Sequence, residues 1–318
     1  MNGYLARCFL GCFMISGMTG CTRSVPSVEV RKPLIFSQEN ASNAMAFVTA
    51  FVTACTPRDA TTPGAQKAAS WLHRQLQDMG VSAQIQAFTA MTRAGEQPFF
   101  NVLAEIPGKK SATIVLLSHM DTKSGIAPDF QGANDGGSST GLLLELVRVL
   151  QRAQPAYRIL AGFLDGEECR VAYGPDDGLH GSTYLARQLK RDQVTVKAVI
   201  LMDMIGDRDL KIQVPRNSSA ALRVLALRAA DAVNLRRHVG LFDGAILDDH
   251  QPFLDQGFPA IDLIDFHYGS TPGANDYWHT PADTLDKLSV GSLHTTGAIV
   301  LTMLDLLVAE EARAPSAP

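Results

Sequence analysis

Short runs of Val, Ile and Leu alternate along this chain with stretches whose apolar positions recur at helical spacing, and that alternation sets the fold expectation. Helical periodicity predicts helices over residues 41–55 and 64–79, the second stopping at Gly80, a residue suited to a left-handed C-cap. Strand patterns follow over 82–89 and 99–106. The runs 112–117, 158–164 and 197–202 are apolar almost throughout, so both faces of each strand need cover. Helical segments over 138–153 and 179–191 separate them, which predicts a parallel sheet covered on both sides. A helix over 218–232, a short one near 250–256, a strand over 260–264 and a long amphipathic helix over 290–311 complete one domain, 38–312.

The first 20 residues stand apart. They carry one cation, Arg7, then an apolar run over 8–18 that is too short for the roughly 20 residues of a spanning helix but suits a signal-peptide core. The segment ends Met18-Thr19-Gly20-Cys21, which resembles a bacterial lipobox, with Cys21 as the lipidated first residue of the mature protein. The expectation is an enzyme-sized domain anchored to a membrane through that lipid at the bacterial cell envelope, periplasm-facing or exported. A plain secretory signal cleaved nearby is the alternative. Residues 21–37, polar and proline-containing, read as a tether, and 313–318 as a disordered tail.

Composition narrows the function. A net charge of −4 and no Lys/Arg run longer than two residues leave no footprint for nucleic acid. Of five cysteines, Cys8 and Cys12 leave with the signal and Cys21 is the lipid site, so Cys55 and Cys169 allow at most one disulfide. Cys169, beside Glu168, reads as a buried structural thiol. His73, His238 and His294 fall within helical patterns and read as ordinary surface or packing residues.

Ligands in open α/β sheets bind beyond the carboxyl ends of the strands. There the chain places Ser118-His119-Met120-Asp121, then Asp165-Gly166-Glu167-Glu168, then Asp203, and after the last strand Asn275-Asp276-Tyr277-Trp278-His279-Thr280. The loop Gly132-Ala133-Asn134-Asp135-Gly136-Gly137 feeds a helix. Two imidazoles and three carboxylates from different strand ends match the nitrogen and oxygen donors of zinc. An acid beside a ligand, as Glu167 is beside Glu168, can move protons in a metal-assisted reaction. Asp121 could orient His119 from behind.

His119-Met-Asp121, Asn134-Asp135-Gly-Gly, Glu167-Glu168, Met202-Asp203-Met and Trp278-His279-Thr resemble the ordered motifs of the M28 zinc peptidase family. The resemblance implies a three-layer αβα sandwich with a mixed, mostly parallel sheet. It also implies zinc held by Asp135, Glu168 and His279, with Glu167 as general base and acid. In the aminopeptidase branch His119 and Asp203 would complete a second zinc site. Peptide or protein N-termini would be the substrate, and the chain is expected to be a monomer.

Other residues are similar to the glutaminyl cyclases of the same superfamily, which keep one zinc and convert N-terminal glutamine to pyroglutamate. Leu247-Asp248-Asp249-His250-Gln-Pro-Phe253-Leu254 resembles the cyclase pattern, whereas aminopeptidases usually have Ser at Asp248. The stretch from Glu168 to Gly181-Ser182 has the longer, cyclase-like length, and Asp121-Thr-Lys123 resembles the cyclase Asp-Ser-Lys. That branch implies catalytic roles for Glu167, Asp203 and Asp248, the two aspartates forming a hydrogen-bonded acidic pair, and a pocket walled by Trp278 and Tyr173. Tyr173 stands where many animal cyclases have Trp, and the stretch 266–274 is too long to carry over the family's pocket aromatic. Because both ligand sets are retained, an aminopeptidase stays open.

Gly137-Ser-Ser139-Thr-Gly141 fits the pattern of a serine-hydrolase elbow, but no strand directly precedes it. Its glycines are better read as bringing Asp135 near a metal, with Ser138 or Ser139 capping the next helix. A lipoprotein that only binds peptides would have lost its acid and base; Glu167 and all five ligand residues are present.

Overall fold

In the computed structural model, which describes residues 32–313, helix α1 (Gln38–Cys55) starts at a reciprocal cap. The Ser37 hydroxyl accepts the Asn40 amide, and the Asn40 side chain accepts the Ser37 amide. Helix α2 (Pro63–Asp78) starts on the Thr62 side chain with proline in its first turn. The expected signal, Cys21, most of the tether and residues 314–318 lie outside the described residues.

Strands β1 (Ser82–Thr92) and β2 (Gly95–Ile106) form an antiparallel hairpin, longer than the apolar pattern predicts. Its outer half is largely polar, yet backbone pairing continues from Ser82↔Glu105 to Thr92↔Gly95, since ladder hydrogen bonds need only the register set by the inner half. Then come β3 (Lys110–His119), α3 (Gly137–Ala153), β4 (Tyr157–Leu164), α4 (His180–Arg191) and β5 (Val196–Asp203). Next are β6 (Ile212–Pro215), α5 (Ala220–Ala232), β7 (Val239–Phe242), α6 (Gln251–Asp255), β8 (Ala260–Ile264) and α7 (Val290–Arg313). Strands β6 and β7 are additions to the expected set; four residues each are too short for a period to register.

The sheet order is β1-β2-β4-β3-β5-β8-β6-β7. The central four, β4-β3-β5-β8, run parallel, and antiparallel joints at β2–β4 and β8–β6 make the sheet mixed. From β3 the chain steps to β4 on one side and then to β5 on the other. Right-handed crossovers in opposite directions put their helices on opposite faces: α3 packs with α1 and α7, α4 with α6. Alternation within the strands fills both faces. Ile114, Leu116, Ile200 and Met202 enter the larger core, while Val115, Leu117, Val199 and Leu201 enter the smaller one under α4. Helix α7 is apolar and long enough by composition to cross a membrane, but it packs on α1 and α5 as a core helix.

Cys55 and Cys169 are free and buried, so the one disulfide the sequence allowed does not form. Neither serine caps α3. Its N-cap is Gly136 at φ +76°; the Ser138 hydroxyl donates to the Asn134 carbonyl at 2.7 Å and that of Ser139 to the Gly136 carbonyl at 3.4 Å. Helix α3 instead needs glycine for packing, because a Cβ on Gly141 would lie 2.6 Å from the Val48 amide of α1. Ser139 is fully buried and is no nucleophile.

Candidate active site

The parallel central strands end together, and their ends and following loops deliver the polar residues to one place. His119 closes β3 and Asp203 closes β5; Glu167 and Glu168 follow β4, Asp135 precedes α3, and Trp278 and His279 lie in the long connection after β8. His119 Nε2 stands 3.1 Å from both Asp135 Oδ1 and Asp203 Oδ1. His279 Nε2 stands 3.3 Å from Asp135 Oδ2 and 3.0 Å from Glu168 Oε1. Asp135 therefore joins two groups of donors, one with His119 and Asp203, the other with Glu168 and His279, each within 4.8 Å.

These residues fit a metal. Each imidazole nitrogen faces two carboxylate oxygens, and a single N–H cannot satisfy both. The separations are close to the roughly 3.3 Å between two ligands of one tetrahedral zinc with bonds of about 2.0 Å. Asp135 Oδ2 and Glu168 Oε2 are buried without a hydrogen-bond partner, a cost that a cation among the donors removes.

The electrostatics describe the same strain. Burial raises the Glu168 carboxyl to about 7, with Asp135 adding to it. Burial and Glu168 together push Glu167 well above the ordinary carboxylate range. Burial alone would lower His279, but the Asp135 and Glu168 carboxylates facing its Nε2 lift it to about 9. Burial would likewise lower His119, but the surrounding aspartates raise it. Asp135 goes the other way: despite its burial the two imidazoles hold it below the usual range.

Asp121, fully buried, lies 3.7 Å from His119 Nδ1 and also accepts the backbone amides of Glu167 and Glu168, both at 3.2 Å. It thus fixes the turn that aims both glutamates. The Asp135 loop is held more firmly still. Asp283 accepts the amides of Asn134 and Asp135 at 2.7 and 3.1 Å, and the Asn134 side chain bonds the Gly206 amide and Met204 carbonyl beside Asp203. Arg58, with no exposed surface, donates to the carbonyls of Met120, Gln131 and Gly132 at 2.6–2.7 Å. Gly136 is required here: a Cβ would lie 2.9 Å from the His119 ring in a left-handed conformation.

A cavity of about 310 Å³ opens onto the donors, lined by the acids Glu167, Asp203 and Asp248 and by the apolar side chains of Trp278, Phe266 and Ile246. Trp278 stacks on His279 at 3.9 Å and tilts against Phe266 at 5.2 Å. Tyr173 lies in the wall, and its hydroxyl also donates to Glu167 Oε1 at 2.7 Å. The expected bond between Asp203 and Asp248 does not appear. His119 takes the Asp203 carboxylate, and Asp248 Oδ2 is buried without a partner. Burial and Asp203 push the Asp248 carboxyl well above its ordinary value.

Sequence reasoning missed Arg58, Asp283 and Phe266. It also missed Asn217, whose side chain pairs with the amide and carbonyl of Ile246 at 3.1 and 2.8 Å and so holds the loop leading to Asp248. Only Phe266 carried a signal, as an aromatic directly after the last strand run.

The sheet, with imidazoles and carboxylates gathered at its parallel strand ends, defines a class: an αβα fold built around a zinc-type donor cluster. The profile of Peptidase family M28 matches residues 101–304. A mouse glutaminyl-peptide cyclotransferase-like protein is 31% identical over 256 residues, covering 71% of this chain and 65% of that one. A solved glutaminyl cyclase from an Acidobacteriales bacterium is 34% identical with a TM-score of 0.81, covering 91% of this chain and 99% of that one. A solved Zn-dependent exopeptidase from Parabacteroides distasonis is 25% identical with a TM-score of 0.74, covering 85% and 98%. The chain belongs to the M28 family, in its glutaminyl-cyclase-like branch.

Proposed function

We propose that this protein is a zinc-dependent glutaminyl-peptide cyclotransferase, closing the N-terminal glutamine of peptides or proteins to pyroglutamate with release of ammonia. The observation that carries this reading is Asp248, a buried carboxyl whose Oδ2 has no partner, at the cavity that also holds Glu167. The cavity, about 310 Å³, has room for a glutamine side chain, and an acid at this place can hold a substrate nitrogen, which serine would do only weakly.

Asp135, Glu168 and His279 would hold the zinc, which supplies a Lewis acid for the γ-carboxamide carbonyl. The chain's own residues do the rest. Trp278 and Phe266 hold the glutamine side chain in a folded pose, so attack by the α-amine on the γ-carbon is intramolecular. Glu167 accepts the amine proton as the new C–N bond forms, and returns it to the departing nitrogen as the old C–N bond breaks, releasing ammonia. Asp248, with Asp203 nearby, holds the nitrogen in place.

The second reading is an M28 aminopeptidase. It is favoured by the complete second donor group His119, Asp135 and Asp203, which would hold a second zinc. Attachment to the bacterial envelope through Cys21 is a further part of the proposal, supported by the Met18-Thr19-Gly20-Cys21 run alone.

Mass spectrometry of the zinc-loaded protein with a Gln-initiated and a Leu-initiated peptide tests the choice. Ammonia loss from the first beyond its spontaneous rate, with the second intact, is expected; release of free Leu or Gln would replace the cyclase with the aminopeptidase. Asp248→Ser should cost a cyclase about 100-fold or more, the scale of one lost hydrogen-bonding group at the transition state, and leave an aminopeptidase nearly unchanged.

A further inference from the structure

The loop between β4 and α4 carries Tyr173, and it is built around that one side chain. At its base the Leu179 amide donates to the Glu167 carbonyl at 3.0 Å. Midway, the Asp177 carboxylate accepts the amides of Arg170, Val171 and Ala172 at 2.5, 3.0 and 3.2 Å. The same carboxylate pairs with Arg93 of the β1–β2 turn at 3.0 Å. Gly174 and Asp177 exchange backbone hydrogen bonds at 2.9 and 3.2 Å, closing the tip. Gly178, at φ +87°, has no side chain where the tyrosine ring lies: a Cβ there would fall 2.5 Å from Tyr173 Cδ1. The ring rests on bare backbone, and its hydroxyl reaches Glu167 Oε1 at 2.7 Å.

We propose that Tyr173 is a positioning residue for Glu167. Its donated hydrogen bond occupies Oε1 and fixes the plane of the carboxylate, leaving Oε2, the oxygen 4.0 Å from His119 Nδ1, as the one free to carry the proton. The inference rests on Glu167 being the proton carrier, which both the cyclase and the aminopeptidase readings require. The loop's clamp on Asp177 and its glycine at 178 then have one purpose, to hold a hydroxyl against that carboxylate. A tyrosine that only walled the pocket would need its ring there but not its oxygen.

The test uses full-length, zinc-loaded protein. Wild type is first assayed on the Gln-initiated and Leu-initiated peptides, and each variant is then measured on whichever reaction wild type performs. Failure of the cyclase reading therefore shows in wild type and leaves the Tyr173 test intact. Tyr173→Phe keeps the ring and removes the donor; kcat should fall about 10- to 100-fold, the scale of one hydrogen bond to a charged group, with KM within about threefold. Zinc content and thermal midpoint should match wild type. Gly178→Ala displaces the ring, and should lower kcat similarly. The double variant Tyr173→Phe/Gly178→Ala should have no lower kcat than Gly178→Ala, because an alanine at 178 has already moved the hydroxyl off Glu167, along with any effect of its Cβ on the Glu167 carbonyl 3.0 Å away. A kcat within twofold of wild type in Tyr173→Phe would overturn the proposal. So would a raised KM with kcat unchanged, which marks a wall of the substrate pocket and nothing more.

Discussion

Replacing Arg58 by Met should loosen the metal site from a position that touches no candidate ligand side chain. The guanidinium is fully buried, lies 5.0 Å over the Phe51 ring, and donates three hydrogen bonds of 2.6–2.7 Å to the carbonyls of Met120, Gln131 and Gly132. A fourth, longer contact of 3.4 Å reaches the Asp135 carbonyl. These carbonyls belong to the end of β3 and to the loop carrying Asp135, which Arg58 bridges from 62 to 77 residues away in sequence. Hydrogen bonds to a charged group contribute about 1.5–3 kcal/mol each, and the desolvation of the guanidinium offsets part of that sum. Methionine keeps the apolar stem but takes the guanidinium donors from the Met120 and Gln131 carbonyls, while the Gly132 carbonyl keeps the Gly137 amide at 3.1 Å, so the expected destabilisation is about 2–4 kcal/mol. Lysine retains the charge yet cannot span three acceptors from one ammonium, and should fall between the two. Urea unfolding of zinc-free protein, followed through Trp71 and Trp278 fluorescence, measures the stability without help from bound metal. Competition with a chromophoric chelator measures zinc affinity, expected to weaken by about 10-fold or more, the scale seen when groups orienting ligands are lost. An Arg58→Met protein within about 1 kcal/mol of wild type and with unchanged zinc affinity would refute the reasoning.

Three other expectations follow from the same geometry. Glu167→Gln should abolish turnover while zinc per chain stays at the wild-type value by atomic absorption; retained turnover would remove Glu167 from the proton path. Gly136→Ala forces a left-handed alanine against the His119 ring, and should cost about 1–3 kcal/mol in urea unfolding together with a loss of zinc affinity; a neutral result would mean the loop has room to shift. His250 is buried, and burial lowers its pKa from 6.5 to about 4. Below the unfolded-state value the unfolded chain takes up the proton and the folded chain does not. Stability should therefore fall by about 1.4 kcal/mol per pH unit as pH drops from 6.5 toward 4, and level off below. His250→Gln should remove that component of the slope, so parallel wild-type and variant curves of urea midpoint against pH would contradict it.

Some of this molecule is written in its local sequence. Strands β3 and β5 are legible because burial on both faces demands apolar residues at consecutive positions, and their alternating contributions to the two cores show why. The ligands are legible because parallel strands must end on one side of the sheet, so His119, Asp203 and Glu168 could be placed near one another before any distance was known. The lengths of β1 and β2, and the presence of β6 and β7, were not legible, since edge pairing is satisfied by backbone atoms that every residue carries. The serines after Gly136 have the chemistry of caps, but the tight approach of that loop to His119 leaves the cap to a glycine. Arg58, Asp283 and Asn217 look like ordinary polar loop residues. They act through carbonyls and amides 29 to 149 positions away, and only the folded chain brings those groups to them. The same holds at the proton carrier: the sequence put Tyr173 near the pocket, but whether its ring or its hydroxyl mattered was decided by Gly178, Asp177 and Arg93 meeting around it. Periodicity is a local property of the chain and reports which faces are buried; the direction of a single hydrogen bond depends on segments distant in sequence, and so belongs to the tertiary structure alone.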